Sequence, residues 1–274
     1  YKIKAYLIVR DIFPKWLLDA GILKQGPLFS FFKKVEKELY ESVDFIGIES
    51  IRDLNYFKEH LNNSTHLEVL DNWGSSLKAG NSEKYESSLL PKDLVNIIYG
   101  GNMADAQDLH SLLDDLDDSI LDDKAFLTLI GGGHQLEAIK LLIESKNLKN
   151  VKLLDEVNQE TYLNILKEAD IGLVSLNKKL KSNNFPLKMM GYIQLSKPIL
   201  ASINKNNEII DIIKDNDIGL VSLSGDSESF NRNLLSMIED EQKLKIQGEN
   251  ALNLFKNRFT VTVASEKILK HFDN

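Results

Sequence analysis

Cysteine is absent from this chain, which excludes a disulfide, a thiolate nucleophile and any cysteine-ligated metal. That absence fits a reducing cytosol without proving one. No apolar run approaches the ~18 residues of a membrane-spanning helix. A basic excess is also missing: 33 lysines and arginines face 41 aspartates and glutamates, a net charge of −8, which argues against broad nucleic-acid binding. There is no GxGxxG fingerprint, no convincing internal repeat and no signal-peptide pattern. Low complexity is confined to the aspartates at 114–123, which lack the spacing and glycine of a calcium loop and read as a solvated acidic helix end. No histidine–carboxylate set has metal-ligand spacing, so no metal site is expected. A leading methionine is missing too. Tyr1 to Val9 reads as a strand from the first residue, and an isolated first strand is a poor start for a sheet, so the expectation is a fragment, or a chain whose earlier residues are missing.

What is present is an ordinary soluble composition, 43% apolar and 27% charged, in 274 residues, enough for one large domain or two smaller ones. Short apolar runs at Ala5–Val9, Phe45–Glu49, Val69–Leu70, Val95–Tyr99, Phe126–Ile130, Val151–Leu154, Ile171–Ser175, Pro198–Ser202 and Gly219–Val221 read as strands. Helical patterns fill most of the gaps: Leu28–Tyr40, Ile51–Leu61, Ala104–Leu116, Gln135–Lys146, Gln159–Ala169, Leu187–Leu195 and Asn207–Lys214. This rhythm predicts an α/β protein with parallel sheets, covered by helices, whose ligands bind at the carboxyl ends of the strands. The polar, glycine-bearing stretch from Asn72 to Asp93 is the best linker. It divides a partial unit, 1–74, from a complete one, 75–256, and a last helix within 257–274 is expected to pack back on the first.

The segment from Ser182 to Ile209 is the most informative. Asn183, Asn184 and Phe185 lead to Pro186, which suits the first turn of a helix because its missing N–H is not needed there. Leu187 and Lys188 follow, and the spacing predicts Lys188 one turn inside the helix. A lysine there opposes the helix dipole, so its presence asks for an anion, and the helix start with the amine makes a place for a diphosphate. The same lysine also reads as a solvated surface charge. Other candidates carry similar pairs of readings. Gly100, Gly101 and Asn102 follow a strand and precede a helix, as an anion loop or a tight turn. Gly131, Gly132, Gly133 and His134 hold more glycine than a turn needs, with His134 in a cleft or simply exposed. Glu208 after Asn207 is a group at the sheet's carboxyl edge or an acidic first-turn residue. Arg10 and Asp11 end the first strand as site residues or as a salt bridge to a loop.

With these residues in view the chain resembles the retaining glycosyltransferases of the GT-B fold, family four. Within it the chain is similar to the WbuB-type fucosamine transferases of O-antigen and capsule synthesis. The resemblance rests on Arg10-Asp11-Ile12-Phe13-Pro14-Lys15-Trp16, Val43–Gly47, Asn72-Trp73-Gly74, Tyr99-Gly100-Gly101-Asn102-Met103 with Ala106-Gln107, Asn184-Phe185-Pro186-Leu187-Lys188 with Gly191-Tyr192, and Lys197-Pro198 with Asn207-Glu208. It covers almost the whole chain. It implies two Rossmann-like domains facing a cleft, the first incomplete here and acceptor-sided, the second binding the nucleotide sugar. Two departures stand out. The wider family has two glutamates with seven residues between them, and Asn183 and Gly191 occupy those positions; where it has a His-Asp pair, this chain has Arg10-Asp11.

The resemblance implies transfer of an N-acetylated sugar from a UDP-linked donor to a lipid-linked glycan, with retention and without a metal or other cofactor. Lys188 and backbone N–H groups near Gly101 and Asn102 would stabilise the leaving diphosphate. Glu208 would hold sugar hydroxyls, and Arg10 and Asp11 would face the reacting centre. Gly133, His134, Asn183, Phe185, Pro186, Leu187, Gly191 and Asn207 would line the donor site, with Val157 flanking the base. The expected location is cytoplasmic, with any peripheral contact at the inner membrane assigned to the missing segment. A nucleotide-sugar 2-epimerase on the same fold and a non-catalytic nucleotide-sugar-binding module are the alternatives.

Overall fold

The computed structural model describes residues 3–19, 21–61, 65–74, 89–180 and 185–272. The chain divides into two compact units, one of Tyr1–Ser75, Lys181–Asn184 and Arg258–Asn274, the other of Ser76–Leu180 and Phe185–Asn257. Asn183 and Asn184, and residues 75–88 of the expected linker, lie outside the described residues.

The first unit begins with β1 (Tyr6–Val9), α1 (Lys15–Asp19), α2 (Pro27–Glu41), β2 (Phe45–Ile48), α3 (Leu54–His60) and β3 (His66–Val69). Its strands pair in parallel in the order β1-β2-β3. Tyr40 of α2, Ile46 and Ile48 of β2 and Phe57 of α3 are buried together as its core. Strand β2 carries Gly47, where a Cβ would crowd the Tyr6 ring tip at 2.5 Å and Leu70 Cβ at 2.8 Å, so glycine leaves room there for both side chains.

The second unit runs β4 (Val95–Gly100), α4 (Leu109–Asp114), β5 (Ala125–Ile130), α5 (Leu136–Lys146), β6 (Val151–Leu154), α6 (Gln159–Glu168), β7 (Ile171–Ser175), α7 (Leu187–Gln194), β8 (Ile199–Ile203), α8 (Ile209–Asp215), β9 (Gly219–Leu223), α9 (Ser227–Glu239) and α10 (Glu241–Arg258). A last helix, α11 (Val261–Leu269), belongs to the first unit. The six strands of the second sheet are all parallel, in the order β6-β5-β4-β7-β8-β9. This is the doubly wound Rossmann arrangement, and it reverses direction between β4 and β7. Runs such as Ile97-Ile98-Tyr99 and Ile171 to Ser175 are buried throughout because helices cover both faces.

Several elements differ from the sequence expectation. The helix expected over Ala104–Leu116 is only Leu109–Asp114, because Asp108 takes a left-handed conformation (φ 50°). Pro186 stands outside its helix as the N-cap, so Lys188 is in the first turn of α7 and not one turn further in. Helices α1, α9 and α10 lie outside the helical patterns expected from the sequence. No described helix is long and apolar enough to cross a membrane.

Candidate functional site

The reversal of strand order leaves the carboxyl ends of β4 and β7 side by side, the place where open α/β sheets bind ligands. From β4 the chain enters Gly100-Gly101-Asn102. Gly101 has φ +127°, a conformation that side chains disfavour, and its N–H donates to Ile130 O at 2.9 Å. That bond removes one of the amides expected to face a diphosphate. The Met103 N–H is likewise taken by Gly132 O at 2.7 Å. Among the described residues nothing accepts from the Asn102 N–H.

The loop after β5 is packed against this one. Gly131 and Gly133 both have φ +145°; a Cβ at Gly131 would lie 2.0 Å from Gly101 O, and at Gly133 2.3 Å from Met103 O. The glycine run is therefore a close approach between two loops. His134 is exposed, its Nε2 3.0 Å from Asp105 Oδ1. Gln135 Nε2 also donates to Asp105 Oδ1, and these hydrogen bonds hold the Asp105 carboxyl below its ordinary range.

Helix α7 brings Lys188 to the same corner. Its Nζ is buried with no hydrogen-bond partner among the described residues, 3.5 Å from the centroid of the Tyr99 ring. A Cβ on Gly101 would lie 3.6 Å from that Nζ, so the amine sits against the glycine loop. Burial alone pulls Lys188 from the usual lysine value down to about 7. Beneath the loop, the Tyr192 hydroxyl accepts from the Gly100 N–H at 3.1 Å. Added Cβ atoms at Gly100 and Gly172 would run into Tyr162 and Tyr192, so those rings fix the floor.

The remaining donor-side candidates are spread along the same carboxyl edge. Phe185 and Pro186 are half-buried ahead of α7, and Leu187 is 65% exposed. Gly191 is not needed for space, since a Cβ there would only touch Leu166 at 3.5 Å. Half-buried Val157 precedes the N-cap Asn158 of α6, after β6. Asn207 is 1% exposed, with Oδ1 accepting from Ile209 N–H and Nδ2 donating to Asn204, so its side chain is committed to the turn. Glu208 is the N-cap residue of α8, beyond β8.

Arg10 and Asp11 lie in the first unit, after β1. Arg10 Nη1 donates to Leu70 O at 3.1 Å, its guanidinium is 4.5 Å from the Trp73 ring centroid, and Nη2 is buried with no partner among the described residues. Burial lowers the Arg10 pKa against the opposing pull of Glu49 and Asp71. Glu49, absent from the sequence reading, joins this group: burial raises its pKa, and Asn72 Nδ2 donates to it at 3.1 Å. Its only sequence signal is its place just past β2. Asp11 is exposed.

Two further features bear on ligand choice. A recess in the second unit, with Asp108, Asp115, Lys178 and Asp226 in its lining, sets three carboxylates against one ammonium, which is unfavourable for a diphosphate. In the first unit His66, Glu68 and His271 place one ligand atom each within 4.8 Å of one another, a grouping that sequence spacing could not reveal. Glu68 there already accepts from Tyr6, Lys270 and His271.

Comparison with known proteins adds the family. The model described as "Glycosyl transferases group 1" matches residues 81–254. The probable glycosyltransferase WbjE of Pseudomonas aeruginosa is 23% identical over 212 residues, 75% of this chain and 52% of that protein. The chain thus spans about half the length of the curated relative it matches. Among solved structures, Anabaena HepE in complex with UDP and glucose superposes with a TM-score of 0.74 at 16% identity, over 99% of this chain and 72% of that one. WaaG, a glycosyltransferase involved in lipopolysaccharide biosynthesis, gives 0.69 at 14% identity, over 98% of this chain and 75% of its own. The fold is that of the GT-B glycosyltransferases, and the chain belongs to the group 1 glycosyltransferase family.

Proposed function

We propose that this chain carries the donor side of a retaining glycosyltransferase. The enzyme moves an N-acetylated sugar from a UDP-linked donor to a lipid-linked glycan during O-antigen or capsule synthesis. The observation that carries the reading is the Lys188 amine, buried against the glycine loop at the strand-order reversal with no counter-charge among the described residues. The nucleotide and polysaccharide assignments draw support from the UDP complex of HepE and the lipopolysaccharide role of WaaG. The N-acetylated sugar and the retention of configuration rest on the WbuB-like sequence segments.

The difficult step is departure of the diphosphate while positive charge builds on the sugar ring. Lys188 and the Asn102 N–H stabilise the leaving group, and a buried cation is worth more there than in water. In this reading the ammonium supplies the charge that a divalent cation would otherwise bring, so no metal is required. Glu208 holds sugar hydroxyls and fixes the ring for attack. Phe185, Pro186 and Leu187 shape the pocket, Val157 flanks the base, and Gly133, His134, Asn183, Gly191 and Asn207 are assigned to the donor side. Arg10 and Asp11 serve the acceptor side. The reaction is assigned to the cytoplasmic face of the inner membrane, where a lipid-linked acceptor is presented.

Lys188→Ala tests this directly. Transfer from a UDP-sugar to a lipid-linked acceptor should fall by roughly 100-fold or more with the far-ultraviolet dichroism unchanged. Wild-type activity should survive EDTA. Full activity in the alanine variant refutes the role of Lys188, and loss of activity to EDTA, restored by a divalent metal, refutes metal independence.

A further inference from the structure

We infer that Tyr99 is a positioning residue that holds Lys188 for an incoming anion, occupying the place where a carboxylate would neutralise the amine, so that nucleotide binding draws a proton from solvent onto Nζ. The inference rests on the donor-site reading given above and adds to it a named residue and a pH dependence.

The geometry is specific. Tyr99 is fully buried at the end of β4, and its ring face lies 3.5 Å from Nζ. Its hydroxyl donates to Asn102 O at 2.5 Å. One side chain therefore meets the cation with its ring face and pins the glycine loop through the Asn102 carbonyl. A ring face attracts a cation without cancelling its charge, so the site stays open to an anion. A carboxylate at that distance would pair with the lysine and compete with a diphosphate. Among the described residues the titratable groups packed around this corner are Tyr99 of β4, Tyr162 of α6 and Tyr192 of α7, with Glu156 against Gly132 on the neighbouring glycine loop and Asp105 paired with His134 beyond it. Burial raises all three phenols, so they stay neutral near neutral pH. Burial is the one cause acting on Lys188, and among the described residues no charged neighbour contributes.

The sign follows. With the free amine titrating at about 7, the empty site is mostly protonated below that pH and mostly neutral above it. A bound diphosphate favours the charged form and raises that value. Binding then takes up little proton at acid pH and close to one at mildly alkaline pH. Affinity should fall toward tenfold per pH unit above about 7, until the bound-state value is passed.

The test is calorimetry of UDP binding between pH 6 and 9, in buffers of different ionisation enthalpy. It is paired with NMR titration of the Lys188 Cε resonance in the empty protein. Wild type should show proton uptake rising through a midpoint near that resonance's own. Lys188→Arg should bind without proton uptake, because guanidinium keeps its proton over this range. Tyr99→Phe keeps the ring and should hold the midpoint while losing a few-fold in affinity with the tether to Asn102. Tyr99→Leu should move the midpoint down and weaken UDP binding about tenfold or more at pH 7.5. If the leucine variant does not fold, Tyr99→Met, nearer in volume, replaces it. A folded leucine or methionine variant with the wild-type midpoint overturns the role of Tyr99. UDP binding by wild type without proton uptake across the range overturns the coupling. Absence of any UDP binding, with the Lys188 resonance still titrating near neutrality, overturns the donor reading instead.

Discussion

At the scale of the residue, the site stores an unfavourable group. A lysine amine without a partner is costly to bury in its charged form, and the fold tolerates it where function needs it. The unfolded chain keeps the ordinary lysine value, whereas the folded value is about 7. Between the two the unfolded state holds the extra proton, so stability rises with pH across that window, and the penalty is complete below pH ~7. Replacing Lys188 by Met should therefore raise the melting temperature by several degrees at pH 6 and by much less at pH 10. Thermal denaturation of both proteins at the two pH values checks this. An equal shift at both means that packing, not charge, controls the change. Lys188 was legible from sequence because a cation in a first helical turn contradicts the dipole rule. Tyr99 was not, since an aromatic residue in a buried strand fits the core reading equally well. Its position under the amine depends on a residue 89 places further along the chain.

At the scale of the element, the two glycine loops act as one piece. The Gly131 and Gly133 backbones occupy space that a Cβ would take from the carbonyls of Gly101 and Met103. Gly131→Ala should cost roughly 3 kcal/mol or more, through both the strained φ and the clash. Gly191→Ala is the contrasting case. It lies inside α7 with only Leu166 nearby, so it should be neutral or stabilising by about 0.5–1 kcal/mol from helix propensity. Chemical denaturation of both variants measures the difference; a Gly131→Ala protein as stable as wild type contradicts the description of the loops. The β/α rhythm gave most elements, because buried parallel strands are short apolar runs. Helix α10 escaped because its buried face includes Gln247 and Gly248, which interrupt the apolar period. Gly248 is there because a Cβ would meet Ser196 O at 2.3 Å. Helix α9 did carry a signal, the N-cap Asp226 followed by Phe230, Leu234, Met237 and Ile238 at helical spacing.

At the scale of the whole molecule, the residues that flank the last helix, Arg258 before it and Lys270 and His271 after it, are tied to β3 and the segment just past it by contacts that no local pattern announces. Arg258 donates twice to Asp71, and Lys270 and His271 meet Glu68 at 2.8 Å. Burial alone would raise the Glu68 pKa, but hydrogen bonds from Lys270, His271 and Tyr6 outweigh it and hold the group below the carboxylate range. Its contribution is present above the unfolded-state value and fades as pH falls through the lower folded one. Glu68→Ala should destabilise the protein at pH 7, and the gap from wild type should narrow below pH ~4. Denaturant melts at the two pH values test that. Family membership was legible in scattered segments because they cluster at sheet edges, where loops carry the chemistry. The central claim is that a nucleoside diphosphate binds where the ends of β4 and β7 meet. The most direct measurement is a crystal structure of the protein soaked with UDP. The account predicts diphosphate density against Lys188 Nζ and the Asn102 N–H. Diphosphate density elsewhere, for instance beside Lys178, with Nζ left stacked on Tyr99 and untouched, would contradict it.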